Sequence, residues 1–189
     1  MYEDLLDRGY AALRRGDPEA ALRQFQLAVE NAPLRPQARF GMAMACMEQG
    51  SSEGAERALR AALEVEPGYA PARAYLGLIF LQRYDVDAAQ DELDQALRDA
   101  PTNLLVHIKY AEFYYRLGFY HRAVSLLEQG LKRPHGANEH VVALARQLLA
   151  QARQKNKGAI IREPPDPRRW LRLFLRPGKN GRSRVQLFG

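Results

Sequence analysis

Apolar residues recur through residues 2–136 at helical spacing, and the stripes come in pairs separated by short polar turns. The pairs repeat. Ala21, Ala55, Ala89 and Ala123 stand 34 residues apart, as do Phe25, Leu59, Leu93 and Leu127, then Ala28, Ala62, Ala96 and Gly130. Gly9, Ala43, Gly77 and Ala111 form a column of small residues at the same step, and Pro33, Pro67 and Pro101 form another, with Pro134 one residue early. Each unit therefore reads as two amphipathic helices joined by a turn and closed by a proline. The turns fall at Arg15-Gly16-Asp17-Pro18, Gln49-Gly50-Ser51-Ser52, Arg83-Tyr84-Asp85-Val86 and Leu117-Gly118-Phe119-Tyr120, where Asp17, Ser51 and Asp85 are placed to cap the second helix. The small columns on both helices allow a close approach that larger side chains would prevent.

These columns resemble the tetratricopeptide repeat, a 34-residue helix-turn-helix with small, small, apolar, small and proline positions at these spacings. The resemblance covers about Tyr2 to Gly136. It implies an all-α, right-handed superhelical solenoid of four hairpins, at about 2–35, 36–69, 70–103 and 104–136. The family's frequent tryptophan near the start of the first helix is replaced by Leu5, Arg39, Arg73 and His107, which predicts weaker packing at that column.

Beyond the repeats, Asn138 can cap a further helix to about Lys155, with Val141, Leu144, Ala145, Leu148 and Ala152 on one stripe and Arg146, Gln147, Gln151, Arg153 and Gln154 facing water. Residues 137–155 are expected to be the terminal cap that a stack of repeats needs. Residues 156–167 read as a linker. Residues 168–189 form a basic tail, in which Asp166-Pro167 starts and Pro177-Gly178 stops a short amphipathic helix carrying Trp170, Leu171, Phe174 and Leu175. A hairpin of Trp170–Arg176 with Arg182–Phe188 is the competing reading, since Leu171, Leu173 and Leu175 also alternate.

Composition changes this picture in two places. A charged fraction of 26% beside 47% apolar residues is that of a folded soluble chain. The net charge of +6 is concentrated at the C-terminal end: residues 156–189 carry nine Lys or Arg against Glu163 and Asp166, a net of +7, and residues 1–155 a net of −1. The lone Cys46, the acidic opening Met1-Tyr2-Glu3-Asp4 and the lack of a long apolar run lead us to expect a cytoplasmic protein, neither secreted nor membrane-spanning.

Catalytic chemistry finds no support in the residues. His107, His121, His135 and His140 form no metal or acid–base motif, and no phosphate loop or activated nucleophile is present, so neither an enzyme, a cofactor nor a metal is expected. The acidic run Asp85, Asp87, Asp91, Glu92 and Asp94 lacks the glycine and terminal glutamate of a calcium loop, and reads as a solvated helix face.

The resemblance places the first helices on the inner surface. Its positions there are Leu6, Tyr10 and Leu13; Phe40, Met44 and Met47; Ala74, Leu78 and Leu81; Ile108, Glu112 and Tyr115. Eleven of these twelve are apolar or aromatic. They either pack between neighbouring first helices or form an apolar peptide-binding groove, with Met44 and Met47 adding adaptable surface. The family's clamp for chaperone carboxylates needs basic side chains where Leu6, Tyr10, Phe40 and Tyr75 stand, which argues against it. The expected function is that of an adaptor or assembly factor binding a protein or peptide rather than nucleic acid. The alternative is a peripheral membrane scaffold docked to acidic lipid through Arg168, Arg169, Trp170, Leu171, Arg172, Phe174 and Arg176. The same tail residues could instead occupy the chain's own groove.

Overall fold

The computed structural model describes residues 1–132 and 136–158. Among these residues it holds nine α-helices and no strand: α1 (Tyr2–Arg14), α2 (Pro18–Asn31), α3 (Pro36–Glu48), α4 (Ser52–Val65), α5 (Ala70–Gln82), α6 (Val86–Asp99), α7 (Leu104–Arg116), α8 (Tyr120–Lys132) and α9 (Glu139–Lys157). The chain is an all-α helical solenoid with two compact units, Met1–Ile79 and Phe80–Gly189.

The helix boundaries follow from side-chain chemistry. Asp17, Ser51 and Asp85 accept the backbone N–H of Ala20 (2.9 Å), Gly54 (3.3 Å) and Ala88 (3.2 Å), and Pro18 and Pro36 occupy first turns where a missing N–H costs nothing. The first helices end on a left-handed residue: Gly16 (φ 74°), Gly50 (φ 73°) and Gly118 (φ 81°). The third turn achieves the same bend with Tyr84 at φ 63°, a conformation that a side chain makes costly.

In the first unit, α1 packs on α2 and α3, α2 on α3, and α3 on α4. Its core centres on Phe25, which is fully buried. A Cβ built on either Gly9 of α1 or Gly41 of α3 would stand 2.5 Å from the Phe25 ring, so the ring fills the space that two absent side chains leave. In the second unit, α6 packs on α7, and α7 and α9 pack on α8 and on each other. The Tyr114 hydroxyl donates to the Tyr110 hydroxyl (3.3 Å), which in turn donates to the Asp94 carboxylate. Asp94 therefore belongs to a contact between α6 and α7, not to a purely solvated face as the sequence pattern suggests. Burial, followed by the neighbouring Tyr114 and Asp94, pushes the Tyr110 hydroxyl well above its ordinary range.

The column that replaces tryptophan is not weakly held. Arg39 donates to the Pro33 carbonyl (2.6 Å), Arg73 to that of Pro67 (2.9 and 3.1 Å), and His107 Nε2 lies 3.0 Å from the Pro101 carbonyl, each six residues back. A hydrogen bond to the interhelix loop thus takes over where a ring would have packed. His107 is buried, its Nδ1 lies 3.1 Å from the Leu126 carbonyl of α8, and a Cβ on Gly130 would meet its side chain at 2.8 Å. Gly130 stands in an alanine column because His107 occupies the room.

Asn138 caps α9 through the Val141 N–H (3.0 Å), and the helix runs to Lys157, two residues past the expected end. Ala152 holds the position, 34 residues on, that Gly118 holds after α7; buried in mid-helix, it lets α9 continue where α7 turns. The stripe that is buried on α7 and its turn as Val106, Tyr110, Phe113 and Leu117 becomes His140, Leu144, Gln147 and Gln151 on α9, all exposed. Three polar residues of four make this face of α9 polar where that of α7 is apolar. Arg153 joins it to Glu128 of α8 (2.8 Å), and that hydrogen bond is the main cause holding the Glu128 carboxyl below its ordinary range.

Candidate functional site

The twelve inner positions of the first helices divide by burial. Leu6, Phe40, Ala74, Leu78, Leu81 and Ile108 are buried, whereas Tyr10, Leu13, Met44, Met47, Glu112 and Tyr115 keep part of their surface exposed. Spacing by three and four residues puts both kinds on one side of a helix, and burial then separates those that fill the stack from those that keep surface exposed.

In the first unit the exposed set is apolar and aromatic. Tyr10 meets Phe25 edge-on at 5.1 Å, and Phe40 is met edge-on by Tyr75 at 5.3 Å and by Tyr69 at 5.8 Å. Burial, with the nearby Tyr2 and Tyr75, pushes the Tyr10 hydroxyl up to about 12. Burial, with Tyr10, Glu66 and Tyr2, raises that of Tyr69. Tyr75 of α5 and Tyr69 of the turn before it therefore meet on Phe40 of α3, while Tyr10 of α1 packs on Phe25. Sequence reasoning missed Tyr69, because it lies in a turn outside the helical stripes, and counted Tyr75 only as a residue that is not basic. Arg35 completes this side: its guanidinium lies 4.1 Å from the Tyr2 ring centroid and 2.6 Å from the Glu3 carboxylate.

The second unit offers a different surface. Glu112 accepts from Lys109 (3.1 Å) and from Arg116, so the one charged inner position is already neutralised within α7. Tyr115 is packed edge-on against Tyr120 at 5.3 Å. A separate hollow of about 500 Å³, lined among others by Thr102, Asn103, Asn138 and Val141, lies where α7 and α9 begin.

Burial raises the Cys46 thiol above its ordinary range. Among the described residues no group of three or more His, Cys, Asp or Glu is arranged to hold a metal ion, and no helix is long and apolar enough to cross a membrane. The tail positions Arg168, Arg169, Trp170, Leu171, Arg172, Phe174 and Arg176 lie outside the described residues.

One model of the tetratricopeptide repeat matches residues 6–56 and 43–103, and a second matches 80–148. The chain belongs to the tetratricopeptide repeat family. Among solved structures, this tetratricopeptide repeat chain is similar to a thermophilic TPR protein of Thermus thermophilus, with a TM-score of 0.65 at 20% identity over 91% of this chain and 96% of that one. It is also similar to the APC/C hetero-tetramer Cut9-Hcn1, with a TM-score of 0.68 at 19% identity over 83% of this chain, which spans only 33% of that one. A third likeness is to the O-GlcNAc transferase of Thermobaculum terrenum, with a TM-score of 0.57 at 23% identity over 69% of this chain and 26% of that one. At these identities the likeness is one of fold alone. No curated protein matches the chain.

Proposed function

We propose that this chain is a protein-interaction scaffold that holds an apolar peptide on the inner faces of its first helices. The observation that carries the reading is the part-exposed set Tyr10, Leu13, Met44 and Met47, which leaves aromatic and thioether surface uncovered on the side this family uses for binding. The charged groups nearby favour a neutral contact over a grip on a carboxylate. Residues 1–79 contain no lysine, and Arg39 and Arg73 already donate to the carbonyls of Pro33 and Pro67. An extended or helical segment with aliphatic anchors suits such a surface. The repeat frame supports a binding role.

Selection of peptides from a displayed random library on the full chain tests this. Selected peptides should be rich in leucine, isoleucine or phenylalanine, and Met44→Asp should weaken them at least tenfold without changing the helical circular dichroism. Peptides that bind equally well to the Met44→Asp and Tyr10→Asp chains would move the site elsewhere.

A further inference from the structure

We infer that Met44 and Met47 form an oxidation site on the inner face of α3, where a peroxide converts their thioethers to sulfoxides and so releases the bound peptide, and reduction restores binding. This rests on the groove reading above and adds its regulation.

Sulfur is concentrated at this place. The chain has four methionines and one cysteine, and Met42, Met44, Cys46 and Met47 all fall within residues 42–47 of α3. The matching inner positions are Tyr10 and Leu13 on α1, Leu78 and Leu81 on α5, and Glu112 and Tyr115 on α7, so only α3 presents thioethers there.

The four sulfurs are not alike. Met44 and Met47 stand three residues apart, share one side of the helix and keep part of their surface exposed, which gives a small oxidant access. Met42, although also part-exposed, packs against the buried cluster that contains Phe25, Ala28 and Ala38. Burial raises the Cys46 thiol and so disfavours the thiolate that a peroxide oxidises. A thioether needs no deprotonation. Met44 and Met47 are therefore the sulfurs that react first.

The oxidation balances and reverses. A sulfur lone pair attacks one oxygen of the peroxide, the O–O bond breaks, and the other oxygen leaves as water, so that sulfur loses the two electrons the peroxide gains. Reduction by a methionine sulfoxide reductase consumes two thiols, which become a disulfide while the oxygen departs as water. The product changes the surface, because a sulfoxide is polar where the thioether was apolar and adaptable. An aliphatic anchor seated there covers an S=O group that loses its water and gains no donor.

The test treats the full chain with hydrogen peroxide, removes the excess with catalase and maps added oxygen by mass spectrometry. Binding is read by anisotropy of a fluorescein-labelled peptide of leucine and phenylalanine. Met44 and Met47 should oxidise before Met42 and Cys46, and the peptide should then bind about tenfold weaker, with the helical circular dichroism unchanged. Methionine sulfoxide reductases A and B with dithiothreitol should restore the affinity, both being needed because peroxide makes both sulfoxide epimers. Met44→Leu with Met47→Leu is judged against itself, and its affinity should be the same before and after peroxide. Cys46→Ala should lose affinity on oxidation as the parent does. Oxidation of Met42 or Cys46 ahead of the pair, undiminished binding by a chain carrying both sulfoxides, or loss of the helical signal would each overturn the site. So would a peroxide-induced loss of binding in the doubly leucine-substituted chain. Where one of these occurs and Met44→Asp still abolishes binding, the groove reading stands without its oxidation site. A peptide that binds Met44→Asp as well as the parent removes the groove reading itself.

Discussion

Arg73 reaches six residues back to the carbonyl of Pro67, with Nε at 3.1 Å and Nη2 at 2.9 Å. A two-pronged donor thereby closes the loop that leads into α5. Arg39 on Pro33 and His107 near Pro101 repeat the arrangement at the same step. Arg73→Ala should lower the unfolding free energy by about 1 kcal/mol, the net worth of one such bond. His107→Leu should cost roughly 1–3 kcal/mol, because it removes, in a buried place, the ring's one N–H hydrogen bond to the Leu126 or the Pro101 carbonyl. Urea denaturation of the two variants checks the order, and equal losses would mean that burial adds nothing at His107.

The Phe25 ring and Gly9 are matched in size. Gly9→Ala puts a methyl group 2.5 Å from that ring and should destabilise by roughly 1–3 kcal/mol. Other units carry the opposite pairing, Leu59 with Ala43 and Leu127 with Ala111 at the equivalent positions. Gly9→Ala with Phe25→Leu should therefore recover part of what Gly9→Ala loses. A double-mutant cycle in denaturant measures it, and simple additivity would refute the coupling.

Tyr84 holds a left-handed backbone (φ 63°) with its side chain 56% exposed, so that little packing repays the strain. Tyr84→Gly should raise stability by about 1 kcal/mol, visible as a higher thermal midpoint. The same substitution at an ordinary surface residue would lower it.

Alkaline titration should separate the tyrosines. Tyr10 is pushed from 10.0 up to about 12, chiefly by burial, so the folded chain keeps a proton that the unfolded chain gives up. The contribution is fully present below pH 10 and is lost as pH rises toward 12, where stability falls. Absorbance titration should show fewer than the nine tyrosines ionising in the first step, and Tyr10→Phe should shift alkaline unfolding to higher pH.

Much of the fold is legible along the chain because burial itself repeats: Ala21, Ala55, Ala89 and Ala123 are all fully buried, and a periodic requirement leaves a periodic sequence. What periodicity hides is any contact between unlike positions. Gly41 approaches Phe25 from the following unit and belongs to no small-residue column, and Tyr69 joins the Phe40 cluster from a turn. Glu112 reads along the stripe as a lone charge, yet it pairs with Lys109 and Arg116, and Asp94 reads as solvated, yet it carries the Tyr110 hydroxyl. The inner stripe is legible as apolar, but not which half of it the stack consumes. That depends on distances between helices, which spacing along a chain does not encode.

Ala152 gives the array its punctuation. Where glycine stands at this position, or Tyr84 in the third unit at a cost in strain, the backbone swings into the left-handed bend and the chain reverses; at Ala152 the helix reads through. Lengthening such a molecule by copying one more unit would therefore require, besides the copied segment, a way to reverse the chain at this position. A duplication that left Ala152 in place would have to make that bend as the third unit does with Tyr84, against the cost of a side chain in the left-handed region.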